Sequence, residues 1–505
     1  MEKTSDKLLK WTKKDWALNV LVYFANFVVL ALIFVLGVYV QCQTNTALDF
    51  SKFSQNSVKF FNLIILLFFM SVGIFLFFYF EDRDFLKNSV NSEMIFFVIE
   101  ISLIICFVFG NFINLYLRPL ALACILILFL TNTKTAVFFN YAFCIIIFFF
   151  DTFAMMILQT KLLNEYDYIF SMAMGVFSGI IAIYSMKDVY SRLKLILLGL
   201  FISLPSVICV VLPIVEFGGN LTIPYIISSI ASGPLTSTLF MAILPFCETI
   251  FNKVSSFKLA ELTDHKARII RRVISKAPGT FNHSIVVSNI AEACATAIGE
   301  DALLARTCAY YHDIGKLRRP EYFKENQMNG NNPHDDLTPE LSANIISSHA
   351  YDGYTLALKN RLPKEIADVC MQHHGTMPIL FFYDKAKKFT DGNVDISQYC
   401  YPGPKPQTKI AAIIMIADGC EAVARTLKDR SRENVKKAVK KIVNQRMELG
   451  QFTECEITLK ELNIIINSVV NSLSGVYHNR VDYPKVSLDG IDLDRNEEKE
   501  EKTQE

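Results

Sequence analysis

Tyr310-Tyr311-His312-Asp313-Ile314-Gly315-Lys316 sets an imidazole beside a carboxylate at the expected end of a helix. Together those two groups can hold a divalent metal ion. A lone His-Asp pair arises easily by chance, so its meaning depends on what else in the chain converges on it.

Reading outward, four more segments supply polar groups at helical spacing. His283, Val286, Val287 and Ile290 share one face of a helix expected to begin near Asn282. Leu304, Cys308 and His312 stack by four on the helix expected over 302–312. Thr338 is an expected N-cap with Pro339 at the first helical position, and from there Leu341, Ile345 and His349 stack by four. Pro363 opens and Gly375 closes another helix, on which Ile366, Val369 and His373 share a face with His374 beside them. Ile410, Ile414 and Asp418 complete the set.

Any one of these is ordinarily a core histidine bonded to a backbone carbonyl. Five helices that each turn a His or Asp toward the core are another matter, because every unsatisfied buried polar group costs on the order of 1–3 kcal/mol. Metal ions satisfy imidazoles and carboxylates together. His283, His312, Asp313, His349, His373, His374 and Asp418 exceed the ligands one ion takes from protein, so two ions are expected, with Asp313 as the bridging carboxylate. A ligand set without thiolate suits iron, manganese or another N/O-binding metal. His334 and His478 fall outside these faces and are expected to be solvated, and His265 is expected at the surface.

The chain has 505 residues and two unlike halves. All eight histidines lie at 265 or beyond. Twelve cysteines are scattered without a Cys-x-x-Cys pair, which argues against a disulfide framework or a thiolate metal site. A formal net charge of +1 gives no sign of a nucleic-acid-binding surface, and no nucleic-acid partner is expected.

Residues 17–250 are rich in Phe, Ile and Leu, and Ala17–Val40 carries no charge. That run is long enough to cross a bilayer core of ~30 Å. Further spans are expected at about 60–80, 94–117, 119–133, 135–158, 168–186, 195–217 and 223–247, eight in all. With the N-terminus inside, Lys3, Lys7, Lys10, Lys13, Lys14, Arg83, Lys87, Lys134, Lys187, Arg192 and Lys194 fall on inner segments. Outer loops carry Lys52, Lys59, Arg118 and Lys161. This is the positive-inside bias, and it places the His-rich half in the cytoplasm. Glu100 within a span is a functional candidate or a residue reaching the interface. Pro205, Pro213, Pro224, Pro234 and Pro245 suggest kinks or unwound segments.

The expected plan is therefore all-α. A cytoplasmic N-terminal segment (1–16) precedes a polytopic helical membrane domain (17–250). A connecting helix (251–280) leads to an all-helical metal domain (281–480), and a polar tail follows (486–505).

These residues match the HD phosphohydrolase superfamily. Ala277-Pro-Gly-Thr, Arg319-Pro-Glu-Tyr-Phe-Lys-Glu-Asn-Gln327, His373-His-Gly-Thr376 and Tyr401-Pro-Gly-Pro-Lys-Pro-Gln-Thr408 resemble, more closely, the seven-transmembrane-receptor HD hydrolases. The resemblance covers about 60–480. It implies a bacterial inner-membrane phosphodiesterase that cleaves cyclic di-AMP to the linear dinucleotide pApA through a metal-bridging hydroxide. It implies one iron or manganese ion on His283, His312, Asp313 and Asp418, and a second on Asp313, His349, His373 and His374. Lys316 is then expected to neutralise the phosphate, and Arg319, Asn326 and Gln327 to line the nucleotide pocket. Relatives usually carry a large external domain after the first span; here only the short 41–59 loop stands there. They also often have His where Asn282 precedes the first ligand. Another cyclic dinucleotide, (p)ppGpp, or a non-catalytic nucleotide-binding receptor are the competing expectations, and a homodimer is kept as a candidate assembly.

Overall fold

The computed structural model describes residues 13–44, 51, 55–158, 165–187, 189, 191–217, 223–327, 332–389 and 394–476. The lysines up to Lys10, Lys52, Lys161, His478 and the tail at 486–505 lie outside them. The chain divides into two compact units, Met1–Ala267 and Arg268–Glu505. Among the described residues both are helical.

The first unit contains α1 (Lys13–Thr44), α2 (Ser57–Glu81), α3 (Ser89–Phe112), α4 (Leu122–Leu130), α5 (Thr133–Leu158) and α6 (Glu165–Met186). It continues with α7 (Arg192–Ile202), α8 (Leu204–Phe217), α9 (Ile223–Phe251) and the short α10 (Ser256–Leu262). Helices dominate because every N–H and C=O finds its partner within the segment, as an apolar surround demands.

Among the described residues, seven helices are long and apolar enough to cross a membrane, with Arg192–Leu212 forming one of them. The expected span at 119–133 is not among them. The stretch 119–133 is α4, nine residues long. At ~1.5 Å per residue it falls well short of a ~30 Å core. Every residue of α4 is buried, so it is surrounded by protein and need not match the thickness of a bilayer. Arg118, in the connection just before it, is not exposed on an outer loop but is buried in a bidentate pair with Asp151 of α5 at 2.6 and 3.0 Å. Gly110 makes room for it, since a Cβ there would lie 2.2 Å from the Arg118 Nε. Glu100 sits on α3, and its buried Oε1 accepts no hydrogen bond among the described residues.

Pro205 stands at the break between α7 and α8, and α9 runs unbroken through Pro234 and Pro245. Pro234 cannot donate to the carbonyl of Ile230, and the Ser203 hydroxyl donates to that oxygen instead, at 2.7 Å.

The second unit comprises α11 (Arg268–Lys276), α12 (Pro278–Ile298), α13 (Ala302–Tyr311), α14 (Pro339–Lys359) and α15 (Lys364–Gln372). It is completed by α16 (Leu380–Phe389), α17 (Lys409–Thr426), α18 (Arg432–Glu448) and α19 (Leu459–Val476). The expected connecting helix is instead two helices, α10 and α11, interrupted at Thr263–Ala267. The helix expected to begin near Asn282 begins at Pro278: Ala277 is the N-cap of α12 and Pro278 takes its first position, where no backbone donor is needed. Thr338 caps α14 as expected, its hydroxyl accepting from Leu341 N.

α12 packs on α13, α17 and α19, while α14 packs on α15 and on the tight turn Ile314–Arg318. Gly315 decides that last approach. A Cβ there would stand 1.9 Å from the carbonyl oxygen of His349, so only glycine lets the turn after Asp313 lie against α14.

The Arg118–Asp151 pair gives a stability prediction. Arg118→Met strands a buried carboxylate and should cost about 3–5 kcal/mol, whereas Arg118→Met/Asp151→Leu should recover most of it. Unfolding midpoints of the detergent-solubilised chain check this; a double variant no more stable than the single one contradicts it.

Candidate metal centre

Five helix ends or faces deliver the cluster. His283 comes from the first turns of α12, His312 and Asp313 follow the last residue of α13, and His349 lies mid-α14. His373 and His374 follow α15, and Asp418 lies in α17. His283, His312, Asp313, His349 and His373 are buried, and His374 and Asp418 are only slightly exposed.

Two groups of ligand atoms form, each within 4.8 Å: Asp313 with His349, His373 and His374, and His283 with His312 and Asp418. Asp313 faces both. Its Oδ1 lies 3.2 Å from His349 Nε2 and 3.6 Å from His373 Nε2. Its Oδ2 lies 3.2 Å from His312 Nε2 and 3.7 Å from His283 Nε2.

The far nitrogens orient the rings. His312 Nδ1 donates to Ala309 O at 2.6 Å, His349 Nδ1 to Ile346 O at 2.6 Å, and His373 Nδ1 to Cys370 O at 2.9 Å. A proton on Nδ1 leaves the Nε2 lone pair free and aimed inward, the usual arrangement of a metal-binding histidine. His283 Nδ1 meets the Glu421 carboxylate at 2.6 Å, and Arg425 holds the other Glu421 oxygen.

Charge in the cluster is unbalanced without a cation. Burial works against ionising Asp313, but Lys316 and His312 outweigh it and hold the carboxyl well below its usual range. Asp418 is likewise held low by His283 and His374 against its burial. Burial drives His373 down and His374 far down. His283 resists burial because Asp418 and Glu421 lift it to about 10. The result sets the neutral imidazoles of His373 and His374 beside the ionised carboxylates of Asp313 and Asp418. His312 Nε2 and Asp313 Oδ1, both buried, have no hydrogen-bond partner among the described residues. Orphaned acceptors at the centre of an N/O donor set fit divalent metal ions.

Lys316 is brought in: its Nζ lies 2.7 Å from Asp313 Oδ2 and 2.7 Å from Glu325 Oε1. Arg319 is exposed. Asn326 is engaged by Thr280, whose N–H donates to its Oδ1 at 3.1 Å and whose hydroxyl accepts from its Nδ2 at 2.9 Å. Gln327 donates to Glu321 O and Asn332 Oδ1. His334 is not the solvated residue expected from its loop. It is buried against Tyr322 and Phe382, and its Nε2 donates to Tyr322 O at 3.0 Å. His265 is exposed, as expected.

Three residues escaped sequence reading. Glu421 stands three positions after Asp418, on nearly the same face of α17, and that spacing is a signal that could have found it. Glu325 and Tyr401 come from loops, where spacing carries no such information. Tyr401 stacks on His374 with ring centroids 4.2 Å apart, and burial pushes its phenol upward.

Comparison with known proteins now has a geometry to meet. Residues 280–423 match the HD domain, and residues 57–255 match the family described as 7TM receptor with intracellular HD hydrolase. The chain belongs to that family. It is a multi-pass membrane protein carrying an HD domain. It is 35% identical to the cyclic-di-AMP phosphodiesterase PgpH of Bacillus subtilis (strain 168), over 81% of this chain and 56% of that one. It is 40% identical to the protein of that name from Listeria monocytogenes, over 61% of this chain and 43% of that one. The solved HD domain of L. monocytogenes PgpH in complex with cyclic-di-AMP is 46% identical, covering 43% of this chain and 99% of that chain, with a TM-score of 0.41. The chain spans about half the length of the curated relatives it matches.

Glu421→Gln should keep the fold but weaken the hold on the His283 imidazole. Metal affinity of the His283 group should fall about 10- to 100-fold, with the Asp313–His349–His373–His374 group little changed. Competition against a chromophoric chelator measures it, and unchanged affinity at both groups contradicts the role given to Glu421.

Proposed function

We propose that the chain is a membrane-anchored phosphodiesterase that uses two divalent ions, iron or manganese, to open cyclic di-AMP to pApA. The observation that carries this is Asp313. Its two oxygens face different sets of imidazoles in a site with orphaned buried acceptors, within a chain whose relatives are named cyclic-di-AMP phosphodiesterases.

His283, His312, Asp313 and Asp418 would hold one ion, and Asp313, His349, His373 and His374 the other. Ions bound there supply Lewis acidity toward a phosphoryl oxygen and acidify a coordinated water. The protein's own part is positional. Buried walls exclude bulk water and strengthen each charge interaction. The Nδ1 hydrogen bonds keep the imidazoles in one tautomer.

Lys316 brings positive charge to the phosphate from a fixed place. Asp313 and Glu325 both claim its ammonium, and Phe323 lies 5.0 Å beneath it. Arg319, exposed and just beyond Lys316 in the chain, is the cation placed to reach the nucleotide. Asn326 and Gln327 serve the pocket by bracing the loop at 320–327.

In this reading the HD domain lies on the cytoplasmic side of a bacterial inner membrane. The family matched over 57–255 is described as seven-spanning. Six of the long helices fall in that range, and the short apolar run Leu115–Leu130, embedded in protein, makes a seventh. With α1 the crossings become eight, which returns the HD domain to the side of the segment before α1. A non-catalytic receptor is less favoured because no ligand of the two groups is missing.

Full-length chain in detergent, loaded with manganese and given cyclic di-AMP, cyclic di-GMP and (p)ppGpp, should turn over the first fastest and release pApA. Binding without turnover of any of them, with metal present, would falsify the enzyme. Asp313→Ala should abolish turnover and lower metal content at both groups; activity that survives it refutes the bridging role.

A further inference from the structure

Tyr401 packs against the metal centre. One face of its ring lies on His374, with centroids 4.2 Å apart and planes inclined by 26°. Its edge meets the ring of His349, 5.9 Å away and nearly perpendicular at 86°. Both histidines belong to the Asp313 group, so a single side chain packs on two of its four ligands. The backbone is fixed as well: Tyr401 N donates to Met377 O at 3.0 Å, tying it to the segment just after His374. The ring is therefore held by its face, its edge and its backbone, while its hydroxyl makes no hydrogen bond among the described residues. That hydroxyl is in electrostatic reach of Lys316, Asp418, Asp313 and Glu325.

A clamped ring with an unspent donor beside a charged cluster is costly unless water or a ligand meets it. The surrounding charges narrow the choice of ligand. A neutral phenol donates to an anionic oxygen, and the one mobile anion expected between Lys316 and the metal ligands is a phosphate. With one ring face covered by His374 and the edge against His349, the hydroxyl is the polar group left to turn toward it. We propose that Tyr401 is a further substrate-binding residue: its ring positions His374, and its hydroxyl donates a hydrogen bond to a non-bridging oxygen of the phosphodiester. This rests on the phosphodiesterase reading, but the two can fail separately.

The test compares manganese-loaded wild-type chain in detergent with Tyr401→Phe and Tyr401→Ala. Inorganic phosphate is the probe by calorimetry, metal content is read on the same samples, and turnover of cyclic di-AMP is followed alongside. Tyr401→Phe keeps the ring, so it should hold wild-type metal while binding phosphate and turning over cyclic di-AMP on the order of 10- to 100-fold less well. Tyr401→Ala should also lose metal from the Asp313–His349–His373–His374 group. Unchanged phosphate affinity in Tyr401→Phe overturns the proposed hydrogen bond, whatever turnover does. If wild-type chain turns over no nucleotide yet Tyr401→Phe still binds phosphate more weakly, the hydrogen bond stands and the phosphodiesterase reading falls.

Discussion

The carboxylate of Asp313 lies in the interior with four imidazoles and one ammonium around it. Taking such a group out of water costs several kcal/mol unless opposite charge and hydrogen bonds replace the solvent. Much of the second unit is arranged to supply them. α12, α13, α14 and α15 each send a histidine toward it, and the turn at Ile314–Arg318 returns Lys316 to the same oxygen. The backbone there is as constrained as the side chains, because Gly315 must lie almost on the carbonyl of His349 for Asp313 to meet His349 at all.

The first unit meets a similar problem with a different solution. Arg118 and Asp151 face each other through two parallel bonds, with no orphaned carboxylate oxygen. In that pair the chain itself meets both carboxylate oxygens, whereas Lys316 reaches only one oxygen of Asp313. At the metal centre the acceptors outnumber the donors, and His312 Nε2 and Asp313 Oδ1 remain open. The contrast separates a buried charge that holds helices together from one that waits for a ligand.

Around the metal ligands lies a layer that sets their behaviour. Glu421, anchored by Arg425, orients His283; Glu325 shares Lys316 with Asp313; Tyr401 covers His374. Glu421 and Tyr401 touch ligands directly, and Glu325 acts through Lys316. All three come from other segments than the ligand they serve, so the layer exists only once the helices have packed.

Sequence alone determined which residues face inward. Helical spacing put His283, His312, His349, His373 and Asp418 on apolar faces, because a period of 3.6 residues is a local property of the chain. It also marked the apolar spans, since crossing a bilayer demands length and composition that can be counted. Tertiary structure decided what distance decides. It divided the ligands into two groups around Asp313, buried His334, tied Asn326 to Thr280 of α12 and tied Gln327 into its own loop. It shortened one expected span to a nine-residue helix, and it paired Arg118 with a carboxylate on the neighbouring helix. These depend on contacts between residues far apart in the chain, which no periodicity records.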